Sequence, residues 1–287
     1  SKGGIMRLKD YFPDIQLGAF PLTDPDWISI EEGDHYVHFP KASLSERERL
    51  LLGLGLGDYP ETTPLMSPWY YYLVDRQGNP PELFKDCQLI YLNHHQPLSA
   101  DLIDLLKSMI DGVEVILPIH QTRTAFLCGQ DCSAEVLQLL KDVVPTIESD
   151  FGLALTIFVG KAWHQLAASS LRDCFEEENQ LLTAYLSQKS GGRLLTFSEV
   201  MLWSLLSQQS FPALTRQFHH LLTQQKDMAD VVQALWLEHG NLVQTAQRLY
   251  IHRNSLQYKL DKFAQQSGLH LKQLDDLAVA YLFLLKY

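Results

Sequence analysis

The residues between positions 241 and 263 combine side-chain types and spacings that suit contact with nucleic acid. Arg253 and Gln257 stand four positions apart. Asn254 and Tyr258 have the same separation, so on a helix these side chains share one face with the first pair. Guanidinium and amide groups form paired hydrogen bonds with the edges of bases in the major groove of DNA. The spacing therefore predicts a helix face that can contact base edges.

Two short helices joined by a tight turn would position that face. Asn241 is expected to cap the first helix, and Gln244, three residues later, is expected to return a bond to the cap. Ala246 is small enough for a second helix to cross closely. The apolar residues expected to pack the two helices together are Leu249, Ile251, Leu256 and Leu260. The pattern is that of a helix-turn-helix.

Charge is distributed unevenly along the chain. With 23 Lys and Arg residues against 34 Asp and Glu residues, the formal net charge is -11. Residues 241–263 contain Arg248, Arg253, Lys259 and Lys262 against the single acid Asp261, a net +3 that leaves -14 on the rest. A basic segment on an acidic protein favours local binding of phosphates. The alternative is an ordinary helix pair whose basic side chains are merely solvated.

Composition excludes several protein classes. Hydrophobic residues make up 46% of the chain and charged residues 20%, as in ordinary soluble domains, and 287 residues leave room for about two or three domains. The apolar run at residues 277–285 is shorter than the ~20 residues of a membrane-spanning helix. The four cysteines are Cys87, Cys128, Cys132 and Cys174. None has the Cys-x-x-Cys spacing of a zinc site, so we expect reduced thiols in a cytoplasmic protein without a membrane partner.

Residues 1–86 form an N-terminal region of unknown role, and residues 1–5 are interpreted as a cloning remnant. The patterns here predict a β-hairpin of residues 27–30 and 35–39 around a four-residue turn. Ser43 and Glu46 are predicted to form a capping box that opens a helix to about residue 52. The glycine-rich residues 53–57 are predicted to be the exit from that helix. The aromatic run at residues 69–73 is expected to pack beneath a neighbouring domain; the alternative is the lining of a ligand pocket.

From residue 87 the chain alternates between strand and helix patterns. Strands are predicted at residues 88–92, 113–119, 124–128 and 153–159, with helices that begin after Ser99 and Ser133. This βαββαβ order places the second strand at the sheet edge, where Pro118 is tolerated because it lacks a ladder donor. Glu176, Glu177 and Glu178 are interpreted as a solvated helix face.

The remainder of the chain has helical patterns. One long or broken helix is predicted at residues 163–189, and residues 190–192 end it. Further helices are predicted at residues 196–206, 211–223, 227–239, 242–249, 253–265 and 274–285. The last helix carries an apolar stripe and additional apolar residues. The stripe is Leu274, Leu277, Ala278, Tyr281, Leu282 and Leu285, and the additional residues are Val279, Phe283 and Leu284. Either a helical domain encloses this helix, or part of it supports self-association.

A long and specific string of residues resembles a known family. It runs from Leu237-Glu238-His239-Gly240-Asn241 through Thr245-Ala246, Leu249, His252-Arg253-Asn254-Ser255-Leu256 and Tyr258-Lys259-Leu260 to Ser267-Gly268-Leu269. This string is similar to the C-terminal helix-turn-helix of the PucR/CdaR family of bacterial transcription regulators. Family members place a degenerate GGDEF-like domain just upstream, and the βαββαβ unit followed by residues 193–197 is similar to it. The resemblance covers about residues 87–287.

The resemblance implies an α+β multidomain protein. It has an irregular N-terminal region, a βαββαβ GGDEF-like non-catalytic middle domain at 87–206 and an all-α helix-turn-helix domain at 207–287. Gln257 departs from the basic residue that family members usually have, whereas Ser255 keeps the hydroxyl of the commoner threonine. An active cyclase carries Gly-Gly-Asp-Glu-Phe at the hairpin where this chain has residues 120–124, His-Gln-Thr-Arg-Thr. Without paired acids, Mg²⁺ and a nucleoside triphosphate lack ligands, so we expect no enzyme activity, catalytic residue, metal or cofactor.

The sequence thus predicts a cytoplasmic, sequence-specific DNA-binding transcription regulator, which controls metabolic or stress genes in response to an unidentified signal. Its expected partners are double-stranded DNA, a second copy of the chain and an unidentified small-molecule effector. Residues expected at base edges are Arg253, Asn254, Gln257 and Tyr258; those expected nearer the phosphates are Thr245, His252, Ser255 and Lys259. The alternative is a degenerate nucleotide-binding or protein-interaction module that has lost DNA binding.

Overall fold

The computed structural model describes residues 8–55, 66–82, 84–189 and 194–287. The strands are β1 (Gln16–Gly18), β2 (Trp27–Glu32), β3 (His35–Pro40), β4 (Asp86–His94), β5 (Val113–His120), β6 (Arg123–Cys128), β7 (Leu155–Val159), β8 (Trp163–His164) and β9 (Leu194–Thr196). The helices are α1 (Glu46–Gly55), α2 (Pro68–Leu73), α3 (Ala100–Met109), α4 (Ala134–Phe151), α5 (Ala168–Gln188), α6 (Phe197–Leu206), α7 (Pro212–Thr223), α8 (Met228–Leu237), α9 (Leu242–Arg248), α10 (Arg253–Ser267) and α11 (Leu274–Lys286). The protein is therefore mixed α+β, with a sheet in its middle region and a helical C-terminal region.

The N-terminal region contains a three-stranded sheet of order β1-β3-β2. The predicted hairpin is present, but the four-residue turn is wrong: Glu32 pairs with His35, so the turn has two residues and begins at Gly33 with φ +69°. The capping box is also displaced. Ser45, not Ser43, caps α1: its backbone N–H donates to Glu48 Oε2 at 2.7 Å and its hydroxyl accepts from the Glu48 N–H at 3.3 Å.

The middle sheet has the strand order β5-β6-β4-β7-β9, with β8 paired to the start of β4. The four strands and two helices of the βαββαβ prediction are present, and β5, which carries Pro118, lies at the edge as predicted. Ser99 and Ser133 cap α3 and α4 by accepting hydrogen bonds from backbone N–H groups three residues later. Strand β9, which lies parallel to β7, was not predicted.

The predicted start at residue 163 of a long or broken helix is wrong. Trp163 and His164 pair with Cys87 and Asp86 as strand β8, and α5 begins only at Ala168. The hydrophobic residues of 163–168 fit either a strand or a helix, so the pairing with β4 decided that residues 163 and 164 form a strand. The predicted helix end at residues 190–192, like residues 56 and 57 of the glycine-rich segment, lies outside the described residues.

Helices cover both faces of the middle sheet. Alternate residues of β4 point to opposite sides. Ile90 and Leu92 pack with α3 and α4, whereas Leu89 and Tyr91 face α2 and α5. The aromatic run in α2 is buried at Trp69, Tyr70 and Tyr72, in agreement with the expected packing role. The hydrophobic core on the side of α2 and α5 continues into the C-terminal helices and includes Phe218 and Phe283.

The C-terminal helices pack around α11, which contacts α6, α7 and α8. The buried residues of α11 are Leu277, Val279, Ala280 and Phe283. The predicted stripe is therefore wrong at its ends: Leu274 is 73% exposed and Leu285 is 64% exposed. Neighbouring helices contact several sides of α11, so spacing alone did not identify the buried side. No helix in the described ranges is long and apolar enough to span a bilayer.

The three consecutive glutamates of α5 are not a solvated face. Glu178 is 0% exposed, and Glu177 accepts hydrogen bonds from the backbone N–H groups of Ala213 and Leu214 at the start of α7. Glu176 forms an ion pair with Arg76. Adjacent helix positions are rotated by about 100°, so three neighbours of α5 meet three different surroundings.

Candidate nucleic-acid interface

Helix α9 begins at the predicted cap. The Asn241 side-chain oxygen accepts hydrogen bonds from the N–H groups of Val243 at 3.0 Å and Gln244 at 3.1 Å. The returning bond expected from the Gln244 side chain is absent from the described residues, because the Asn241 N–H donates to the Glu238 carbonyl at 2.9 Å. The cap is thus an asparagine cap without the reciprocal half of a capping box.

A four-residue turn joins α9 to α10. Within it, the Ile251 N–H donates to the Ala246 carbonyl at 3.0 Å, and the Tyr250 N–H donates to the Gln247 carbonyl at 3.1 Å. Tyr250 has φ +55°, in the left-handed region that favours glycine. His252 ends the turn and caps α10, because its Nδ1 accepts from the Asn254 N–H at 3.2 Å.

The two helices pack through the residues that the sequence indicated. Ala246 is 3% exposed, and Leu256 and Leu260 are buried on the facing side of α10. Leu249 and Ile251 are partly buried against the same core. The helix-turn-helix geometry is therefore formed by close packing around a small residue on α9.

The opposite side of α10 is open to solvent. Arg253, Asn254 and Tyr258 are exposed, with Tyr258 at 68%, and Gln257 is partly exposed. The Gln257 side-chain amide donates to Asp261 Oδ1 at 2.7 Å, which holds it along the helix axis. The structure thus brings all four predicted base-edge residues to one accessible surface.

The residues predicted nearer to phosphates divide into two groups. His252 and Ser255 are exposed at the start of α10, and Lys259 is partly exposed. Thr245 is 0% exposed, and its hydroxyl donates to the Asn241 carbonyl at 2.7 Å. We therefore correct its predicted role, because a fully buried hydroxyl that is already bonded within α9 is not available to a phosphate.

Ion pairs with acidic side chains offset part of the net charge of +3 on residues 241–263. Arg248 Nε donates to Glu238 Oε1 at 2.6 Å, and Lys259 Nζ lies 3.3 Å from Asp227 Oδ2. Within the described ranges, no carboxylate forms an ion pair with Arg253. Its guanidinium, at the first residue of α10, is thus free of a competing partner beside the positive end of the helix dipole.

Sequence reasoning missed Tyr250. Its side chain is 95% exposed in the turn that precedes α10, next to the predicted contact residues. A large aromatic residue where the backbone requires a positive φ was the signal that could have indicated it, because glycine is the usual choice there.

The hairpin between β5 and β6 serves a structural role. Arg123 is 4% exposed and donates to Asn179 Oδ1 at 2.9 Å and Asn93 Oδ1 at 3.0 Å, so it attaches the hairpin to α5 and β4. No group of three or more His, Cys, Asp or Glu side chains in the described part of the chain is placed to hold a metal ion. Burial raises the pKa of Cys87 and of Cys128 to about 12, which keeps both thiols protonated and weakly nucleophilic.

Comparison with known proteins adds independent findings. Residues 229–285 match the family described as the PucR C-terminal helix-turn-helix domain. The chain is 72% identical over 282 residues to "Leucine-rich protein" of Streptococcus dysgalactiae subsp. equisimilis, covering 98% of this chain and 100% of that protein. It is 22% identical over 266 residues to "Uncharacterized protein YxkF" of Bacillus subtilis (strain 168), covering 89% of each chain.

A solved structure also aligns with the chain. It is the crystal structure of a regulator of polyketide synthase expression from Bifidobacterium adolescentis, with a TM-score of 0.36, 16% identity, and coverage of 70% of this chain and 79% of that chain. The residues of α9 and α10, their caps and their turn all lie inside the matched range 229–285. The chain therefore belongs to the same family as the streptococcal leucine-rich protein, and its C-terminal residues form a helix-turn-helix domain of the PucR type.

Proposed function

We propose that the protein is a cytoplasmic, sequence-specific DNA-binding transcription regulator. The observation that carries this proposal is the exposed face of α10, where Arg253 lacks an acidic partner in the described ranges and stands beside Asn254 and Tyr258 on a helix-turn-helix of the PucR type. A recognition helix of this kind lies in the major groove with its N-terminal residues at the base edges.

Arg253, Asn254, Gln257 and Tyr258 are the residues that we propose contact bases. His252, Ser255 and Lys259 would bind backbone phosphates, as would the exposed Tyr250 hydroxyl in the turn. Lys259 must first leave Asp227, and an exposed ion pair of this kind costs only about 0–1 kcal/mol to break.

We further propose that the protein acts as a homodimer. One helix-turn-helix contacts few base pairs, so two copies on half-sites about 34–36 Å apart supply useful specificity. Light scattering of the full chain, with and without operator DNA, measures the assembly. A free mass near 32.8 kDa together with one chain per operator would exclude the dimer.

The middle region has a supporting role in this proposal. Residues 87–206 would form a GGDEF-like domain without catalysis, which transmits an unidentified signal to residues 207–287 and so controls metabolic or stress genes. Arg123, which is bonded to the neutral side chains of Asn179 and Asn93, occupies the hairpin at which a cyclase would need acids.

Selection of binding sites from random double-stranded DNA tests the function. The full chain should enrich a defined sequence, and a gel shift on it should weaken as salt rises, with log K falling by about 0.9 log units per log unit of salt for each phosphate contact. A scrambled duplex of equal length is the control. Failure to enrich any sequence at low salt would favour the alternative, a nucleotide-binding or protein-interaction module that has lost DNA binding.

A further inference from the structure

A cavity of about 320 Å³ lies where the middle sheet meets the C-terminal helices. Its walls come from the segment after β7, the N-terminal ends of α4, α6 and α11, and the α10–α11 connection that begins at Gly268. This volume lies at the lower end of the roughly 300–1,000 Å³ range of small-molecule sites.

Lys161 lines this cavity and is 3% exposed. Its Nζ donates to the carbonyl of the adjacent Ala162 at 2.7 Å, and no carboxylate in the described ranges lies within 4.0 Å of it. Burial lowers the pKa of Lys161 to about 8, against the opposing effect of Asp131, Asp276 and Glu178. The other close contact of the Lys161 ammonium is the Trp163 ring, whose centroid lies 5.3 Å from Nζ. A buried ammonium with no carboxylate in contact with it is costly, so an anionic group in the cavity would lower an existing penalty.

The Lys161 ammonium lies beside the part of the cavity wall that directly follows α10. A Cβ atom on Gly268 would lie 3.2 Å from Lys161 Nζ and 2.9 Å from the Ala162 Cβ. Gly268, with φ +67°, is the residue at which α10 ends. The ammonium is therefore placed between the middle sheet and the C-terminal end of the recognition helix.

Helix geometry adds positive potential to the same space. Residues in the first turns of α4, α6 and α11 line it, and the N-terminal ends of helices carry partial positive charge. These three ends outnumber the single C-terminal end of α10 at Gly268, which carries partial negative charge. Gln273, at the start of α11, makes no side-chain cap bond. These features favour a carboxylate in the cavity.

Acidic side chains surround the opening. Asp131 and Asp275 are exposed and line the cavity, whereas Asp276 is engaged by the Ser198 hydroxyl at 2.5 Å and the His270 N–H at 2.7 Å. Asp131 Oδ2 lies 3.7 Å from His164 Nε2, and Asp275 forms no ion pair within the described ranges. Both carboxylates repel a simple anion and attract a cationic group. The lining thus offers a positive interior and a negative opening.

We propose that this cavity binds a small zwitterion of the α-amino-acid type, with its carboxylate toward Lys161 and its ammonium toward Asp131 and Asp275. The role of this cavity as the effector site of a regulator rests on the proposed function. Binding of the amino acid to the cavity does not depend on that function. A ligand there contacts the middle sheet, the end of α10 and the start of α11 at once. It therefore stabilises one placement of the recognition helix relative to the sheet.

Binding is tested without DNA. Thermal unfolding of the full chain is followed with each common L-amino acid, with sodium acetate as the carboxylate alone and with ethylamine as the ammonium alone. At a tenfold excess over Kd, a bound amino acid should raise the melting temperature by about 3 °C, and acetate and ethylamine should have no such effect. Calorimetric titration then gives Kd for the amino acids that do so.

Two variants and a control locate the site. Lys161→Met should weaken binding about tenfold or more, and Asp275→Asn, at an exposed position, should weaken it several-fold without affecting the fold. Lys85→Met, at an exposed lysine outside this cavity, should leave Kd unchanged. If Lys161→Met does not fold, Asp275→Asn decides the question alone.

The proposal is overturned if no amino acid shifts the melting temperature, if acetate shifts it equally, or if the shift persists in both cavity variants. A gel shift with and without the bound amino acid is measured separately. Amino-acid binding by a chain that selects no DNA would refute the proposed function and leave the site intact. Normal DNA binding with no amino-acid binding would refute the proposed site and leave the proposed function intact.

Discussion

Arg248 of α9 is bound to Glu238 at the end of α8, with Arg248 Nη2 2.5 Å and Nε 2.6 Å from Glu238 Oε1. The pair links the helix before the helix-turn-helix to its first helix. It also removes one of the four cations that the sequence assigned to a phosphate-binding face, and Asp227 partly neutralises a second, Lys259. Binding of DNA is therefore expected to depend strongly on Arg253.

Arg253→Ala should weaken specific DNA binding by about 1–3 kcal/mol, the usual contribution of a paired contact to a base. The fold should be unaffected because the side chain is exposed. Gel shifts on the selected operator measure the change. Arg216→Ala, which removes an exposed arginine of α7, is the matched control, and equal affinities for both variants would remove Arg253 from the interface.

Ala246→Leu should lower the free energy of unfolding of the C-terminal region by about 1–3 kcal/mol, because it overpacks the close crossing of α9 and α10. Ala246 is 3% exposed and its carbonyl accepts the turn bond from Ile251. Urea unfolding followed by circular dichroism gives the value. Gln247→Leu adds a leucine at the next, exposed position and should change little; similar curves for both would contradict the packing.

Tyr250→Gly and Tyr258→Gly make the same chemical change at two exposed positions and should have opposite effects. Tyr250 has φ +55°, a conformation that costs a non-glycine residue about 1–2 kcal/mol, so glycine should stabilise the protein by up to about 1 kcal/mol. Tyr258 lies within α10, where glycine should cost about 1 kcal/mol. Thermal melts that shift in the same direction would refute this explanation.

Glu178→Gln should change how stability depends on pH. Glu178 is fully buried, accepts hydrogen bonds from the Lys161 N–H at 2.8 Å and the Tyr91 hydroxyl at 2.9 Å, and has its pKa raised to about 7, chiefly by burial. The folded state then retains a proton that the unfolded state loses near its ordinary pKa of 4.5. Stability contributed by this group is therefore full below about pH 4.5 and is lost as pH rises toward 7.

The difference between wild type and Glu178→Gln isolates that contribution. The free energy of unfolding of wild type minus that of the variant should fall by about 3 kcal/mol from pH 4.5 to 7 and stay level above it. Urea unfolding at several pH values measures it. Parallel curves for the two proteins across this range would show that Glu178 titrates normally.

Local signals in the sequence were enough for much of the fold. Ser99, Ser133 and Asn241 were recognised as helix caps because a cap needs only its own residue and the next three. The βαββαβ order and the edge position of β5 followed from periodicity and from Pro118. The solvent-exposed face of α10 likewise followed from residues four apart.

Contacts between distant segments decided the rest. Residue 163 begins a strand because β4 was available to pair with it, and the three glutamates from 176 to 178 acquired separate roles because Arg76, α7 and Tyr91 lie around α5. Thr245 matched the family pattern, but its burial is a property of the packed helices. The sequence by itself determined the helix-turn-helix and its exposed side chains, since these depend on local spacing. Only the tertiary structure decided which charges are paired and where Lys161 is buried, because those depend on residues far apart in the chain.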